Sequence, residues 1–516
     1  MGNCACLGES VQVGPRTRDF GGIDINSLVL PERQFFFPLQ ARPGPGREDG
    51  ECLLFLESAH NVPCPDPLRD LTCQAASSRS HGRPYVRAWA EREDGALLGR
   101  VAKWPAKSSN AAPLWFSAQS LGFPLGEHSA AKLRLELWDD RTLLASLGAP
   151  LGELPMHCVV TRELERLVQA GSSKPSAISF QVLNLRELMD QRTVFFVRHG
   201  ESVWNKAQDS LQLHEMARTT DHPLSAKGRK QAEALAAHLA RAAREHNAAL
   251  EQLLRPDAVY VSPLTRAVQT AVIALGPTLT QPGGLGELSL MANAREKLNL
   301  GGLDSRSTKL GADVLQSSLD ELQLLYHGEE AGVLDMFSQL RFDTREVQDC
   351  WWSEGAAEPK KLLEERMREF MCQLLYSRHR CVVVVGHSHF FRSVFRDYMC
   401  EMFSAQNPGL VRELTSKKIM NCGVARVELD PSRGVSGGPI IGVELVLGTT
   451  MDADGISGVL ACCNAAQSRG RDGDGGPRPG EELVDPAKPP RYEPAGAPEA
   501  DGVGPLRSPF PNEARA

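Results

Sequence analysis

Thr193-Val194-Phe195-Phe196-Val197-Arg198-His199-Gly200-Glu201-Ser202 is the stretch that decides how this chain folds. Thr, Val and Phe at this density read as a buried β-strand, and Gly200 permits the backbone to change direction after it. A histidine in that place stands at the carboxyl end of a strand, where open α/β sheets gather their ligands. The arrangement recurs. Ala258-Val259-Tyr260-Val261 runs into Ser262-Pro263-Leu264-Thr265-Arg266, and Cys381-Val382-Val383-Val384-Val385 runs into Gly386-His387-Ser388. In a parallel sheet these strand ends share one edge, so Arg198, His199, Arg266 and His387 can converge. Imidazoles and guanidiniums around one point make an anion site, and phosphate is the guest whose chemistry fits.

The motifs Val-Arg-His-Gly-Glu-Ser, Ser-Pro-Leu-x-Arg-Ala-x-Gln-Thr-Ala and Val-Val-Gly-His-Ser resemble those of the histidine phosphatase superfamily, also called phosphoglycerate mutase-like. The resemblance covers residues 193–447. It implies an α/β domain with a mostly parallel sheet flanked by helices. It also implies His199 as the nucleophile, with Arg198, Arg266 and His387 as phosphate-binding catalytic groups and Asn205 and Ser388 as further substrate contacts. In the family an acid protonates the leaving oxygen. Glu296, in Arg295-Glu296-Lys297, is favoured for that role over Glu287 and Glu201. Trp351-Trp352 would line or buttress the pocket. No metal and no cofactor are expected, because the arginines perform an ion's electrostatic work.

Two helices with apolar stripes flank these motifs. One repeats Ala232, Leu235, Ala236, Leu239 and Ala243; the other repeats Leu363, Met367, Phe370, Met371, Leu374 and Leu375. The polar stretch up to His222 is expected to be exposed. Cys422 to Glu428 and Ile440 to Leu447 read as closing strands.

A chain of 516 residues is too long for one ordinary domain. The formal charge of −7 gives no general reason to expect nucleic acid. Thirteen cysteines are scattered without a zinc-type spacing. With no secretory signal and no apolar run of membrane length, a cytoplasmic protein with reduced thiols is expected, soluble or peripherally attached. The reading divides the chain into 1–47, an N-terminus and linker; 48–185, a β-domain; 190–450, the α/β domain; and 465–516, a Gly/Pro-rich tail too poor in apolar residues to fold.

Short strands dominate the β-domain: Cys52 to Leu56, Pro84 to Trp89, Leu114 to Phe116, Leu133 to Trp138 and Ile178 to Val182. Separated by Gly-, Pro- and Ser-rich turns, they predict an antiparallel sandwich. Ser58 to Val62, Arg83-Pro-Tyr-Val86, Asn110 to Trp115 and Leu137-Trp-Asp-Asp-Arg141 resemble a C2 domain, the calcium- and phospholipid-binding sandwich. Of that family's acidic ligands this chain keeps Asp139, Asp140 and Asp66, while Arg83 and Ala145-Ser146 replace others. A hard cation needs several oxygens and is repelled by a guanidinium, so little or no calcium binding is expected. Lipid contact through the module stays open beside a purely structural role. The opening Met1-Gly2-Asn3-Cys4-Ala5-Cys6 places Gly2 for myristoylation and Cys4 and Cys6 for palmitoylation, two signals that together would anchor a protein at a membrane. Cys6 departs from the usual Ser or Thr.

The expected function is a phosphatase that hydrolyses phosphate monoesters through a phosphohistidine on His199. Its partner would be a phosphorylated small molecule or phosphoprotein. A phosphoglycerate mutase-type phosphotransferase or sugar-bisphosphatase is the alternative within enzymes, and a membrane-tethered interaction scaffold the alternative outside them.

Overall fold

The computed structural model describes residues 51–63, 84–105, 112–124, 130–139, 141–168, 175–188, 190–247, 250–299, 302–327, 331–353, 355 and 357–452. Gly2, Cys4, Cys6, Asp66, Arg83, Asn110, Asp140 and segment 465–516 lie outside the described residues.

The first half is an antiparallel sandwich. One sheet is built from β1 (Glu51–His60), β4 (Leu114–Pro124), β7 (Val160–Glu163) and β9 (Ala177–Asn184), in the order β4-β1-β9-β7. The other contains β2 (Pro84–Glu91), β3 (Leu97–Trp104), β5 (Lys132–Asp139), β6 (Thr142–Pro150) and β8 (Glu165–Arg166), in the order β3-β2-β5-β6-β8. Strand β5 alternates as the pleat requires: Leu133, Leu135 and Leu137 are buried, and Lys132, Arg134 and Glu136 are only partly so. These leucines meet Leu54, Leu56 and Phe180 of the facing sheet in one core.

The second half is a seven-stranded sheet. Its strands are β10 (Arg192–Arg198), β11 (Ala258–Val261), β12 (Glu287–Leu290), β13 (Arg341–Asp343), β14 (Cys381–Gly386), β16 (Val424–Leu429) and β17 (Ile440–Val446), ordered β13-β12-β11-β14-β10-β16-β17. Strands β13 through β10 in that order are parallel, and β16 and β17 pair antiparallel on the far edge. A short ribbon, β15 (Lys418–Ile419) with β18 (Met451–Asp452), stands beside it.

Successive residues of a strand point to opposite faces, and the central strands are buried on both. Phe195, Val197, Val383 and Val385 face a core shared with helices Ala226–Arg244 and Thr265–Leu279. Val194, Phe196, Val382 and Val384 face a second core with helices Lys360–Tyr376 and Ser388–Tyr398. That second core continues into the sandwich. Leu53 and Phe55 of β1 and Leu183 of β9 belong to it. Gln181 Nε2 donates to the Tyr376 carbonyl at 2.9 Å, and the Phe55 and Tyr376 rings lie 6.0 Å apart.

Two expectations are corrected. Ala242, not Ala243, completes the buried stripe of helix Ala226–Arg244, since the helix has turned past Ala243 by that point. His222 is buried, not exposed, because helices Val203–Asp209 and Leu213–Arg218 fold the polar stretch back and bring Trp204 edge-on to its ring. Among the described residues, no helix is long and apolar enough to cross a membrane.

Candidate active site

Register places the first pair of site residues. Arg198, the last residue of β10, lies opposite Gly386, the last of β14, and the His199 N–H donates to the Gly386 carbonyl at 3.0 Å. His199 and His387 therefore leave neighbouring strands side by side, their ring centroids 4.9 Å apart. Gly200 is required by proximity: a Cβ there would lie 2.6 Å from the Gly228 carbonyl oxygen, so the turn and the helix start at Gly228 touch backbone to backbone.

The tautomer of His199 follows from its partners. Nδ1 is 2.6 Å from the Gly200 carbonyl, which can only accept, so Nδ1 carries the hydrogen and the lone pair sits on Nε2. The Arg266 Nε–H points at that nitrogen from 3.4 Å. Burial, then the charges of Arg266 and Arg198, hold the imidazole well below the usual histidine range, so the ring is neutral.

His387 is fully buried, with Nε2 2.7 Å from Ser262 Oγ, and Ser262 follows β11. Ser262 Oγ also accepts the Leu264 N–H at 3.4 Å. The other ring nitrogen, Nδ1, is a buried atom with no hydrogen-bond partner among the described residues. Burial and the nearby Arg266 lower this histidine as well.

Arg198 donates from Nη1 to the Ile419 carbonyl at 2.6 Å and lies 3.8 Å from Asp452, while its buried Nε has no partner among the described residues. Arg266 sits in the first turn of helix Thr265–Leu279 and is buried. Asp221 fixes that turn, accepting the Thr265 N–H at 2.8 Å and the Thr265 hydroxyl at 2.9 Å. Asp304 then receives Arg266 through its carbonyl at 2.6 Å and through its carboxylate at 3.2 Å. Burial pushes the Asp221 carboxyl up to about 6.

The acids are separated by their surroundings. Glu296 is buried at the start of helix Ser388–Tyr398, where Oε1 accepts the Phe390 and Lys297 N–H groups, each at 2.9 Å, and Oε2 has only the His389 N–H at 3.4 Å. Glu201 is committed elsewhere, accepting Ser225 Oγ at 2.8 Å and Lys227 Nζ at 2.7 Å. Glu287 begins β12, at the opposite edge of the sheet from the histidines, and pairs with Arg341. Asn205 caps its helix together with Ser202, with Oδ1 accepting the Ser202 N–H and hydroxyl. Ser388 is the first residue of helix Ser388–Tyr398, beside His387. Trp351 donates to the Lys309 carbonyl at 3.0 Å and packs edge-on against Trp352, buttressing the loop that carries Asp304.

Residues 194–292 match the model of the histidine phosphatase superfamily (branch 1). The matched stretch runs from β10 through β12 of the α/β domain. No curated protein sequence matches the chain. Among solved structures, mycobacterial hydrolase 1 is 18% identical with a TM-score of 0.27, over 50% of this chain and 97% of its own. Phosphoglycerate mutase from Bacillus anthracis is 17% identical, also with a TM-score of 0.27, over 50% and 93%. A C2 domain of plant extended synaptotagmin 1 is 15% identical with a TM-score of 0.20, over 28% of this chain and 95% of its own. Likenesses at this level assign neither activity nor ligand to the chain.

In this α/β domain the sequence-predicted Arg198, His199, Arg266 and His387 stand together, with Glu296 close enough to influence Arg198. Glu201 and Glu287 do not join them. Asp304, Asp221 and Ser262 were not foreseen as site residues. Ser262 follows an apolar strand just as the histidines do, and that position was the available signal. Asp221 and Asp304 meet the Thr265-Arg266 turn only through the fold.

Proposed function

We propose that the chain is a phosphatase that hydrolyses phosphate monoesters through a phosphohistidine on Nε2 of His199. The observation that carries this reading is the neutral His199 with its lone pair on Nε2, set among Arg198, Arg266 and the unpartnered Nδ1 of His387. Phosphoryl transfer passes through a transition state whose charge spreads over the equatorial oxygens, so positioned cationic and N–H donors do most of the work. In the first step Nε2 bonds to phosphorus as the phosphorus–oxygen ester bond breaks. The departing oxygen takes the proton of Glu296, whose Oε2 is the less engaged oxygen. In the second step Glu296 takes a proton from water, the hydroxide joins phosphorus, and the electron pair of the phosphorus–nitrogen bond returns to His199. Inorganic phosphate leaves and both groups are restored.

The test is hydrolysis of p-nitrophenyl phosphate together with trapping of an acid-labile phosphoenzyme. His199→Ala is expected to abolish both. Turnover or adduct that persists in the folded variant removes the reading. Location belongs to the same proposal: a cytoplasmic protein held on the cytosolic face of a membrane by acylation at Gly2, Cys4 and Cys6, with phosphorylated small molecules or phosphoproteins as substrates. Gly2→Ala is expected to move the full chain from the membrane pellet to the soluble fraction, and unchanged pelleting would exclude acylation as the anchor.

A further inference from the structure

A buried charge cluster behind Glu296 takes no part in the chemistry described so far. Glu358 has a fully buried side chain, and Arg366 and Arg295 are also buried or nearly so. Arg366 grips Glu358 as a fork, Nε to Oε1 at 2.9 Å and Nη2 to Oε2 at 2.7 Å, while Arg295 Nη2 reaches Oε1 at 3.1 Å. Burial works against the Glu358 anion, yet the bonds and charge of Arg366 keep it below the usual carboxylate range. Burial and the neighbouring Arg366 lower Arg295 to about 9. Side chains of this kind are almost never fully buried unless paired, as these three are.

What the fork holds is the segment that carries Glu296. The remaining Nη1 of Arg366 donates to the carbonyls of Asn293 and Arg295, each at 2.9 Å, so the peptide immediately before Glu296 is pinned. The guanidinium also lies 4.7 Å from the centre of the Phe390 ring, and the Phe390 N–H donates to Glu296 Oε1. Both supports of the Glu296 carboxylate, its own loop and the helix start that donates to it, therefore rest on one guanidinium. Glu358 is in turn tied to the chain just past Glu296, since its N–H donates to the Leu298 carbonyl at 2.9 Å.

We infer that Arg366, oriented by Glu358, is a positioning residue that sets the carboxyl of Glu296 against the leaving oxygen. The inference rests on the reading of Glu296 as the proton donor. Nothing in it requires Arg366 to touch the substrate. In kcat/KM, which reports the steps up to formation of the phosphohistidine, its effect is specific to bonds that need a proton to break. An alkoxide leaves poorly without one, whereas nitrophenolate leaves unaided.

The test compares p-nitrophenyl phosphate with the alkyl ester 2-glycerophosphate for the full chain and for Arg366→Lys, with Glu296→Gln as reference. General acid catalysis contributes roughly 10²- to 10⁴-fold, and a misplaced acid forfeits much of it. Arg366→Lys is expected to lower kcat/KM on 2-glycerophosphate about 10- to 100-fold and to change kcat/KM on p-nitrophenyl phosphate by less than about threefold. If the lysine variant does not fold, Glu358→Gln with Arg295→Met and Arg366→Met removes the three buried charges together, and the same split is expected of it. An equal loss on both esters, or no loss, in a folded variant overturns the inference when Glu296→Gln itself splits them. If Glu296→Gln lowers both esters equally, the proton-donor reading is what fails, and the positioning role falls with it.

Discussion

His199 carries its hydrogen on Nδ1 because a carbonyl 2.6 Å away leaves no other arrangement, and that single contact aims Nε2 at the arginines. Its pH behaviour follows. With the folded value held well below 6.5, the imidazole stays unprotonated through mild acid, so on the proposed phosphohistidine route the acid limb of kcat/KM is expected below that pH and not at it. The same shift enters stability. For His199 and His387 the unfolded chain binds protons first as pH falls below 6.5, so their contribution is complete above 6.5 and lost as pH falls toward the folded values. Asp221 acts in the opposite sense: raised from 3.8 to about 6, its contribution is full below 3.8 and is lost as pH rises through 6. Five histidines with lowered values (His199, His222, His238, His379 and His387) against two raised carboxyls (Asp221 and Glu428) predict a net fall in Tm on going from pH 7 to pH 5.5, and His199→Gln is expected to make that fall shallower. Asp304 supplies another residue-scale prediction. Its carboxylate engages the Arg266 guanidinium that a phosphoryl group would use, so Asp304→Asn is expected to tighten inhibition by inorganic phosphate about 5- to 10-fold, the scale of one charge-assisted hydrogen bond. Weaker inhibition would mean that Asp304 holds Arg266 in place without competing with phosphate.

Strands β10, β11 and β14 could be read directly from the sequence because they are buried on both faces and so appear as unbroken runs of Val and Phe. The histidine or arginine that follows each of them could be read for the same reason. Strand β3 gave no such signal. It carries Gly99 in a positive-φ conformation, and five of its eight residues are exposed. Glu358 and Arg366 also escaped notice, because a charged pair in sequence reads as solvated surface until the fold encloses it. The element that fixes the site most sharply is the crossing of the His199 turn with the start of helix Ala226–Arg244. A Cβ on Gly228 would lie 2.0 Å from the Glu201 carbonyl oxygen, so the two backbones could not keep their approach. Gly228→Ala is therefore expected to cost about 3 kcal/mol, the upper range for overpacking, and to lower activity with it. Thermal unfolding of the variant checks the cost, and a Tm within a degree of the parent would show that the turn can yield.

On the scale of the whole molecule, the composition and strand pattern foretold a sandwich and an α/β domain, but not that they share a core. That sharing is invisible in sequence because β1 reads as an ordinary run, Leu53-Leu54-Phe55-Leu56, with nothing to say that its two faces meet different partners. Leu54 and Leu56 point into the sandwich, and Leu53 and Phe55 point into the layer formed by helix Lys360–Tyr376. The same helix carries Arg366 on its inner side and, through Arg368, donates to the Ala118 carbonyl of β4 at 3.4 Å. A module that only addressed the enzyme to a surface would need no such contact, and its loss would leave the second domain intact. Here the sandwich covers apolar surface that the α/β domain would otherwise expose. Phe55→Ala is expected to destabilise the protein by about 3–5 kcal/mol, the range for a buried phenylalanine. Because the cavity opens against Tyr376 and its neighbours, the loss should appear in both halves. Calorimetry of the full chain should then give a single transition whose calorimetric and van't Hoff enthalpies agree, shifted down as a whole in the variant. Two separable transitions, with only the sandwich transition moved by Phe55→Ala, would show that the halves fold independently and that the shared layer is contact without cooperation.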